Sequence, residues 1–462
     1  MASPEAELIA VYGRRRVGKT FLIRRHFDGD LYFELTGMYD GAFRAQLQSF
    51  ADALARATGT GARSGPPATW AEAFGALAYA MDRLPRRKRK RVVFIDELPW
   101  LVTQRSGFLP AFEHFWNDWA SRRTDLIVVV CGSAASWMVK HLLHARGGLH
   151  NRVTRHLRLQ PFTLAETRAF LTSRRIALDD YQLLELYMAL GGIPHYLKEI
   201  ERGESAAQCI DRVCFSRTGL LGREFSHVYT SLFEAAERHE LVVRALAKRR
   251  YGLTRNELLA ATGLPSGGWT TGVLEELEAS GFIMRMPQFG RDKKDSVYRV
   301  SDEHSLFHLH WIERHRGRSE GTWLRIRGTP AWRAWSGYSF EGVCLKHADQ
   351  LRVALGIGGI QTEESTWRYQ SSGDGDGDGA QIDLVIDRKD RCINLCEMKF
   401  SESEFVIDKA YARALTNKRD AFRRLTGTAK SLFTTLVTTR GLAPTRHRGA
   451  AVDAAVDISA LL

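Results

Sequence analysis

Short apolar runs alternate with helically spaced segments through the first 160 positions. Residues 8–12 form one such run, and a helical pattern begins at Phe21. Arg91-Val92-Val93-Phe94-Ile95 is another run, and 126–130 a third. Runs of this length between polar segments read as buried strands. Their alternation with helices predicts a parallel sheet covered by helices. The Gly/Ser/Pro-rich stretch 58–68 is a loop within this region. Residues 161–235 read as helical and include a Gly191-Gly192-Ile193-Pro194 turn between helices. From 239 to 301 the rhythm changes again. A helix over about 239–248 precedes a second that starts at Thr254, with Glu257 three residues on as a capping box. Gly263 makes a turn and a third helix covers 268–279. Two short strands at 282–286 and 296–300 then flank the basic loop 289–294. That order predicts a winged helix-turn-helix. Residues 302–330 read as a Trp/His/Arg-rich helical connector. Residues 331–462 read as a second α/β unit, with a strand at 381–387, a turn at 388–391 and a hairpin partner at 392–400.

The loop after the first run is Gly13-Arg14-Arg15-Arg16-Val17-Gly18-Lys19-Thr20. This is GxxxxGK[ST] between a strand and a helix, the setting a phosphate-binding loop requires. Gly13 and Gly18 let the backbone turn tightly around phosphate oxygens. The N–H groups at the helix start point at the anion. Lys19 adds a point charge near the β and γ phosphates, and the Thr20 hydroxyl can hold Mg²⁺. The second run ends in Asp96-Glu97. By itself that pair reads equally well as a solvated strand end. With the loop upstream, Asp96 is expected to bind Mg²⁺ directly or through water, and Glu97 to orient or deprotonate the attacking water. ATP and Mg²⁺ are therefore the expected cofactors.

A second constellation lies in the tail. Glu397 and Lys399 are two apart on a strand and so share a face, and Asp383 on the hairpin partner can lie beside them. Asp–Glu–x–Lys is the cluster of metal-dependent restriction-type nucleases. There Asp383 and Glu397 would hold Mg²⁺ and Lys399 would stabilise or activate the attacking water. Glu341, in the helical run 338–344, is the expected extra acidic member. An exposed strand with alternating charges is the plainer alternative. The GDGDGDG run at 373–379 imitates the start of a calcium loop but lacks the distal glutamate, so a flexible acidic hairpin tip is expected. His304, His308 and His310 have no matching ligand spacing and read as packing or surface histidines.

Composition adds less. The chain has 462 residues, 44% hydrophobic, enough for about three domains with real cores. Net charge is +13 and the pI about 9.6, which favours an anionic partner such as DNA. Arginine-rich proteomes raise charge without that meaning, and the run 86–91 reads as a solvated connector. On the third helix only the start (Ser266, Trp269, Thr270, Thr271) suits a major groove, since Glu275, Glu276 and Glu278 follow. DNA contact would then rest on the wing, with an internal regulatory or protein-docking role for this module as the alternative. The six cysteines form no CxxC and read as idle thiols in a reducing cytoplasm. No apolar run reaches membrane-spanning length, and no signal peptide pattern opens the chain.

Several motifs together resemble the bacterial and archaeal AAA+/STAND-type ATPases with a C-terminal restriction-endonuclease-like PD-(D/E)xK domain. They are VYGRRRVGKT at 11–20, FIDELPWL at 94–101, CGSAASWM at 131–138, RLQPF at 158–162, GGIPHYL at 191–197 and QIDLVIDRKDRCINLCEMKF at 381–400. FVIDKAYARAL at 405–415 and LVTTRGL at 436–442 extend the match. The resemblance implies an α/β fold class. It sets a P-loop parallel-sheet core at 1–160, a helical lid at 161–238 and a winged helix at 239–301. A connector at 302–330 and the nuclease-like domain at 331–462 follow. It also implies Ser133 as γ-phosphate sensor, Arg152 as arginine finger or sensor, and Pro194 near the adenine. One departure is expected to matter. Members usually begin with a GRExEL-like segment that helps hold the base, whereas here the first strand comes within a few residues. Either the start is truncated or base binding is weakened. The expected function is an ATP-driven switch coupled to a DNA-associated, Mg²⁺-dependent nuclease-like domain, with a homo-oligomer or partner protein left open. The alternatives are a DNA-binding regulator with an inactive nuclease-like tail, and a signalling scaffold.

Overall fold

The computed structural model describes residues 4–60, 65–85, 89–103, 106–143, 149, 151–315, 317, 320–369 and 379–462. Positions 373–378 of the acidic run, 86–88 of the basic run and 61–64 of the first loop lie outside these residues. The chain divides into two compact units, Met1–Pro161 and Phe162–Leu462.

The first unit is built on β1 (Glu7–Tyr12), β2 (Leu31–Thr36), β3 (Arg91–Asp96), β4 (Leu126–Gly132) and β5 (Arg155–Arg158). Among the described residues they form one parallel sheet in the order β2-β3-β4-β1-β5. Every residue of β3 is buried, as a strand covered on both faces must be. One face packs Val11, Val92, Phe94 and Val129 against Ile23 of the helix Lys19–His26. The other carries an aromatic cluster in which Phe50 meets Phe33 at 4.9 Å and Phe74 stacks on Phe115 at 5.0 Å. The edge strand β5 is exposed throughout, and its arginines and histidine discourage further strand pairing.

The second unit opens with helices Leu164–Ser173, Asp180–Leu190 and Ala206–Phe215. Thr163 with Glu166, and Ser205 with Gln208, form capping boxes at the first and third. Helix Ala236–Ala247 follows, then β6 (Leu253–Thr254), helix Arg255–Thr262, helix Gly268–Ala279, β7 (Ile283–Met286) and β8 (Val297–Val300). Thr254 and Glu257 make the expected capping box. The strands pair antiparallel in the order β6-β8-β7, with Val242, Leu246, Leu274 and Leu277 packed beneath. Helix Ala236–Ala247 starts about three residues earlier than its spacing predicts, because Ala236 is also buried against this core.

The tail begins with helix Pro330–Lys346 and continues through β9 (Thr362–Tyr369), β10 (Ala380–Arg388), β11 (Cys392–Lys399), β12 (Ser431–Thr438) and β13 (Ala454–Asp457). The sheet order is β13-β12-β11-β10-β9. β9–β10 and β10–β11 are antiparallel, whereas β11–β12 and β12–β13 are parallel. The parallel step needs a crossover, supplied by helix Lys409–Thr426 with Leu415 and Phe422 turned inward. The loop after β7 is tied to this sheet. Phe289 N–H donates to Thr366 O at 2.8 Å, Thr366 N–H donates to Pro287 O at 2.9 Å, and the Phe289 ring meets Phe422 at 4.9 Å. No helix among the described residues is long and apolar enough to cross a membrane. The cysteines are free thiols.

Candidate nucleotide site and acidic cluster

Strand order explains how distant motifs meet. The glycine-rich loop follows β1, Asp96 ends β3, and β4 lies between them, so Ser133 just beyond β4 falls between Lys19 and Glu97. Lys19 Nζ donates to Gly13 O at 2.9 Å, to Arg14 O at 3.0 Å and to Ser133 Oγ at 3.0 Å. Ser133 N–H donates to Glu97 Oε2 at 3.0 Å, and its hydroxyl donates to Glu97 Oε1. Thr20 Oγ1 donates to Asp96 Oδ2 at 2.7 Å, and Glu97 N–H to Asp96 Oδ1 at 3.0 Å. Burial lowers the Lys19 ammonium below its ordinary value, while Cys131, Glu97 and Asp96 pull it back up. Gly13 is required sterically: a Cβ there would stand 2.2 Å from Leu159 O. Glu97 holds a left-handed backbone at φ 47°, an uncommon conformation for a non-glycine residue and one found at functional sites. Arg14 and Val17 are buried, Arg16 takes φ 73°, and Arg15 lies over the Trp100 ring at 5.8 Å. The curled loop, its helix-start amides and the paired oxygens of Thr20 and Asp96 fit a nucleotide phosphate with a hard cation. Arg152 sits in an exposed turn, its N–H donating to Leu149 O at 3.0 Å. Pro194 opens the short helix Pro194–Leu197 in the second unit.

The tail residues also converge. Leu384 pairs with Cys396, which brings Asp383 on β10 beside Glu397 on β11. Met398 N–H donates to Asp383 Oδ2 at 3.1 Å, and Gln381 Nε2 to Asp383 Oδ1 at 3.3 Å. Glu397 is buried. Lys418 Nζ reaches its Oε1 at 2.7 Å, and Lys399 Nζ stands 3.7 Å from its Oε2. Burial first, and Asp383 second, push the Glu397 carboxyl up to about 7 against the pull of both lysines. Glu341 is buried on helix Pro330–Lys346 and accepts from Arg299 Nη1 at 2.7 Å, with Arg250 Nη2 3.7 Å away. Burial raises its carboxyl above the ordinary range. Among the described residues no three His, Cys, Asp or Glu side chains stand together as a metal-holding group. Asp383 and Glu397 still fit Mg²⁺, which takes one or two carboxylates and completes its shell with water and phosphate. His304 and His308 are buried beside Tyr196 and Phe225 rings, at 5.2 and 4.8 Å.

Residues 1–200 match the model of an ATPase domain predominantly from Archaea. The first unit is thus an ATPase-like P-loop domain. The uncharacterized protein MJECL04 of Methanocaldococcus jannaschii is 24% identical over 198 residues, 42% of this chain. The matched region spans 39% of that relative's length. Among solved structures, the Walker-type ATPase PABY2304 of Pyrococcus abyssi is similar at 16% identity and a TM-score of 0.43. It covers 65% of this chain and 90% of its own. The Aeropyrum pernix ORC2 protein, in ADPNP–ADP complexes, is similar at 16% identity and a TM-score of 0.41, over 67% of this chain and 88% of its own.

Sequence reasoning missed the cations that hold the tail carboxylates. Lys418 lies on helix Lys409–Thr426, and Arg299 and Arg250 lie around β8 and β6, so no local spacing connects them to Glu397 or Glu341. The dense basic pattern of 409–424 was the available signal for Lys418. One expectation is corrected. Thr270 cannot face a major groove, because its side chain is buried and its hydroxyl donates to Pro265 O at 2.7 Å. Trp269 is partly exposed under the Arg238 guanidinium at 4.0 Å.

Proposed function

We propose that the chain is an ATP-binding and ATP-hydrolysing switch whose second unit engages DNA through a winged helix and carries a nuclease-like centre. The observation that supports hydrolysis is the chain Lys19–Ser133–Glu97 beside the Thr20–Asp96 pair. Lys19 binds the β and γ phosphates, and the loop amides cradle them. Thr20 and Asp96 hold the cation. Mg²⁺, when bound, neutralises charge building on the transferring phosphoryl group. Glu97 orients water and takes its proton, with Ser133 fixing the carboxylate and reporting the γ-phosphate. Arg152 acts on a nucleotide from an exposed turn, as a finger or sensor, and Pro194 serves the adenine. On this reading 161–238 is the lid, 239–301 the winged helix, 302–330 the connector and 331–462 the nuclease-like domain of a cytoplasmic protein. In that domain Asp383 and Glu397 bind Mg²⁺, Lys399 stabilises the attacking water and Glu341 completes the acidic set.

The test is ATP turnover by the purified chain with Mg²⁺, beside Lys19→Ala. Wild type should hydrolyse ATP and the variant should lose both turnover and most affinity. Equal affinity and turnover in the two would end the reading. A second reading, a non-catalytic tail, is favoured by the pairing of Glu397 with Lys418 and of Glu341 with Arg299. Cleavage of DNA with Mg²⁺ or Mn²⁺, lost in Asp383→Ala and Glu397→Ala, decides against it. No cleavage in any nucleotide state, with no metal bound by calorimetry, decides for it.

A further inference from the structure

A cavity of 440 Å³ lies between the three-stranded unit and the sheet of the tail. Tyr251, Arg291 and Arg299 line one side, and Arg368, Gln381 and Asp383 the other. Its size is within the range of small-ligand pockets, roughly 300–1,000 Å³. A duplex is far too wide to enter it. Its chemistry is mixed. Arg291, Arg299 and Arg368 share its lining with Glu257, Asp295 and Asp383, so a bare anion gains little, whereas a group offering donors, acceptors and a flat face gains from each wall.

Three further observations narrow the occupant. The Arg368 guanidinium lies over the Tyr251 ring at 5.2 Å. Guanidinium planes and aromatic rings are the surfaces on which unstacked bases rest. Gln381 carries an amide, the group that reads a base edge with one donor and one acceptor. Arg299, which also lines the cavity, is almost wholly buried and held by Glu341 at 2.7 Å, so it is a fixed wall rather than a mobile cation. Asp383 is itself part of the wall, so whatever enters lies beside the acidic cluster.

We propose that this cavity receives one unpaired nucleotide of a nucleic-acid strand, its base on the Tyr251–Arg368 stack and the strand carried past Asp383. The proposal rests on the reading of the second unit as a DNA-engaging one. It makes the substrate a single strand or an everted nucleotide rather than an intact duplex, because only an unstacked base can reach such a pocket.

The test is fluorescence anisotropy with the full chain in EDTA, so that cleavage plays no part. A labelled single-stranded 20-mer and the same sequence as duplex are compared. The single strand should bind more tightly. Tyr251→Ala should weaken single-strand binding by roughly 5- to 100-fold, the worth of one stacking partner, and Tyr251→Phe should retain it. Gln381→Ala should weaken it as well, and carries the test if Tyr251→Ala melts early. Duplex affinity should stay within about twofold in each. If both alanine variants bind the single strand like wild type, the pocket is not a nucleotide site, and DNA engagement by the wing is untouched. If neither form of DNA binds wild type, the DNA reading and this proposal fail together.

Discussion

Arg299 on β8 donates to Glu341 on helix Pro330–Lys346 at 2.7 Å, with 3% and 1% of the two side chains exposed. The pair joins the three-stranded unit to the tail. Arg299 stays charged: burial lowers its pKa, but Glu341, Tyr338 and Asp383 together outweigh burial and leave it raised. Removing one partner strands the other charge in a dry site, which costs about 3–5 kcal/mol, whereas replacing both by apolar groups is often neutral. Arg299→Ala should therefore destabilise the second unit by about 3–5 kcal/mol, and Arg299→Met with Glu341→Leu should recover most of it. Urea unfolding of wild type, both single variants and the double variant measures this. Additive single effects, with no recovery in the double, would show that the pair does not hold the unit together.

The two bonds from Ser133 to Glu97 leave that carboxylate little freedom. Glu97→Gln keeps the size but removes the base. It should bind ATP normally and hydrolyse it about 10²- to 10⁴-fold more slowly. Ser133→Ala should bind ATP within a few fold of wild type yet slow single-turnover hydrolysis, because both Lys19 and Glu97 lose the hydroxyl that fixes them. Wild-type rates in either variant would remove these residues from the hydrolytic step.

Much of this first site is legible in the sequence because its parts are local. Gly13 to Thr20 and Asp96-Glu97 are contiguous motifs at strand ends, and parallel strands of similar length bring their ends to one edge. Ser133 comes from the family resemblance, which expects a small polar residue at the end of the strand that is β4. In the tail, Asp383, Glu397 and Lys399 follow from strand alternation and a short hairpin. The partners do not. Lys418 reaches Glu397 across a helix packed on the sheet, and Arg299 reaches Glu341 through tertiary docking over 42 positions. The tie between Phe289 and Thr366 is equally hidden, since an isolated backbone bridge has no side-chain signature. Thr270 reads as a surface threonine on a polar helix start, but the turn before it folds back and buries its hydroxyl.

His347 gives the second unit a pH dependence. Its Nδ1–H donates to Val343 O at 2.8 Å, and its Nε2 accepts from Leu164 N–H at 3.0 Å, so the ring is held neutral. Burial lowers its pKa from 6.5 to about 4. The unfolded chain takes up a proton near 6.5 while the folded chain does not until about 4. Stability from this group is present above 6.5 and is lost as pH falls through that window. His347→Gln should be less stable than wild type near neutrality by about 1–3 kcal/mol, since the Leu164 amide loses its acceptor. The gap should narrow towards pH 4.5, read as melting temperature across a pH series. Parallel curves for the two proteins would mean that the ring does not titrate in this window.

The loop between β7 and β8 offers the last test. Arg291, Lys293 and Lys294 are exposed, and their loop is anchored rather than free, with Phe289 and Pro287 bonded to Thr366 and Arg285 Nη2 donating to Lys293 O at 2.6 Å. Anchoring holds these cations in a fixed array beside the tail sheet, an arrangement suited to tracking phosphates without reading bases. The third helix adds little positive charge of its own, and Glu276 is occupied by His239 at 2.7 Å. Reversal of all three to Glu should weaken DNA binding at low salt across unrelated sequences alike. It should also flatten the log–log salt dependence by about one unit for each phosphate that is no longer neutralised. A triple variant that matched wild type in both affinity and salt slope would assign the three-stranded unit to docking a protein, and any contact with DNA phosphates would be sought on the basic face of helix Lys409–Thr426.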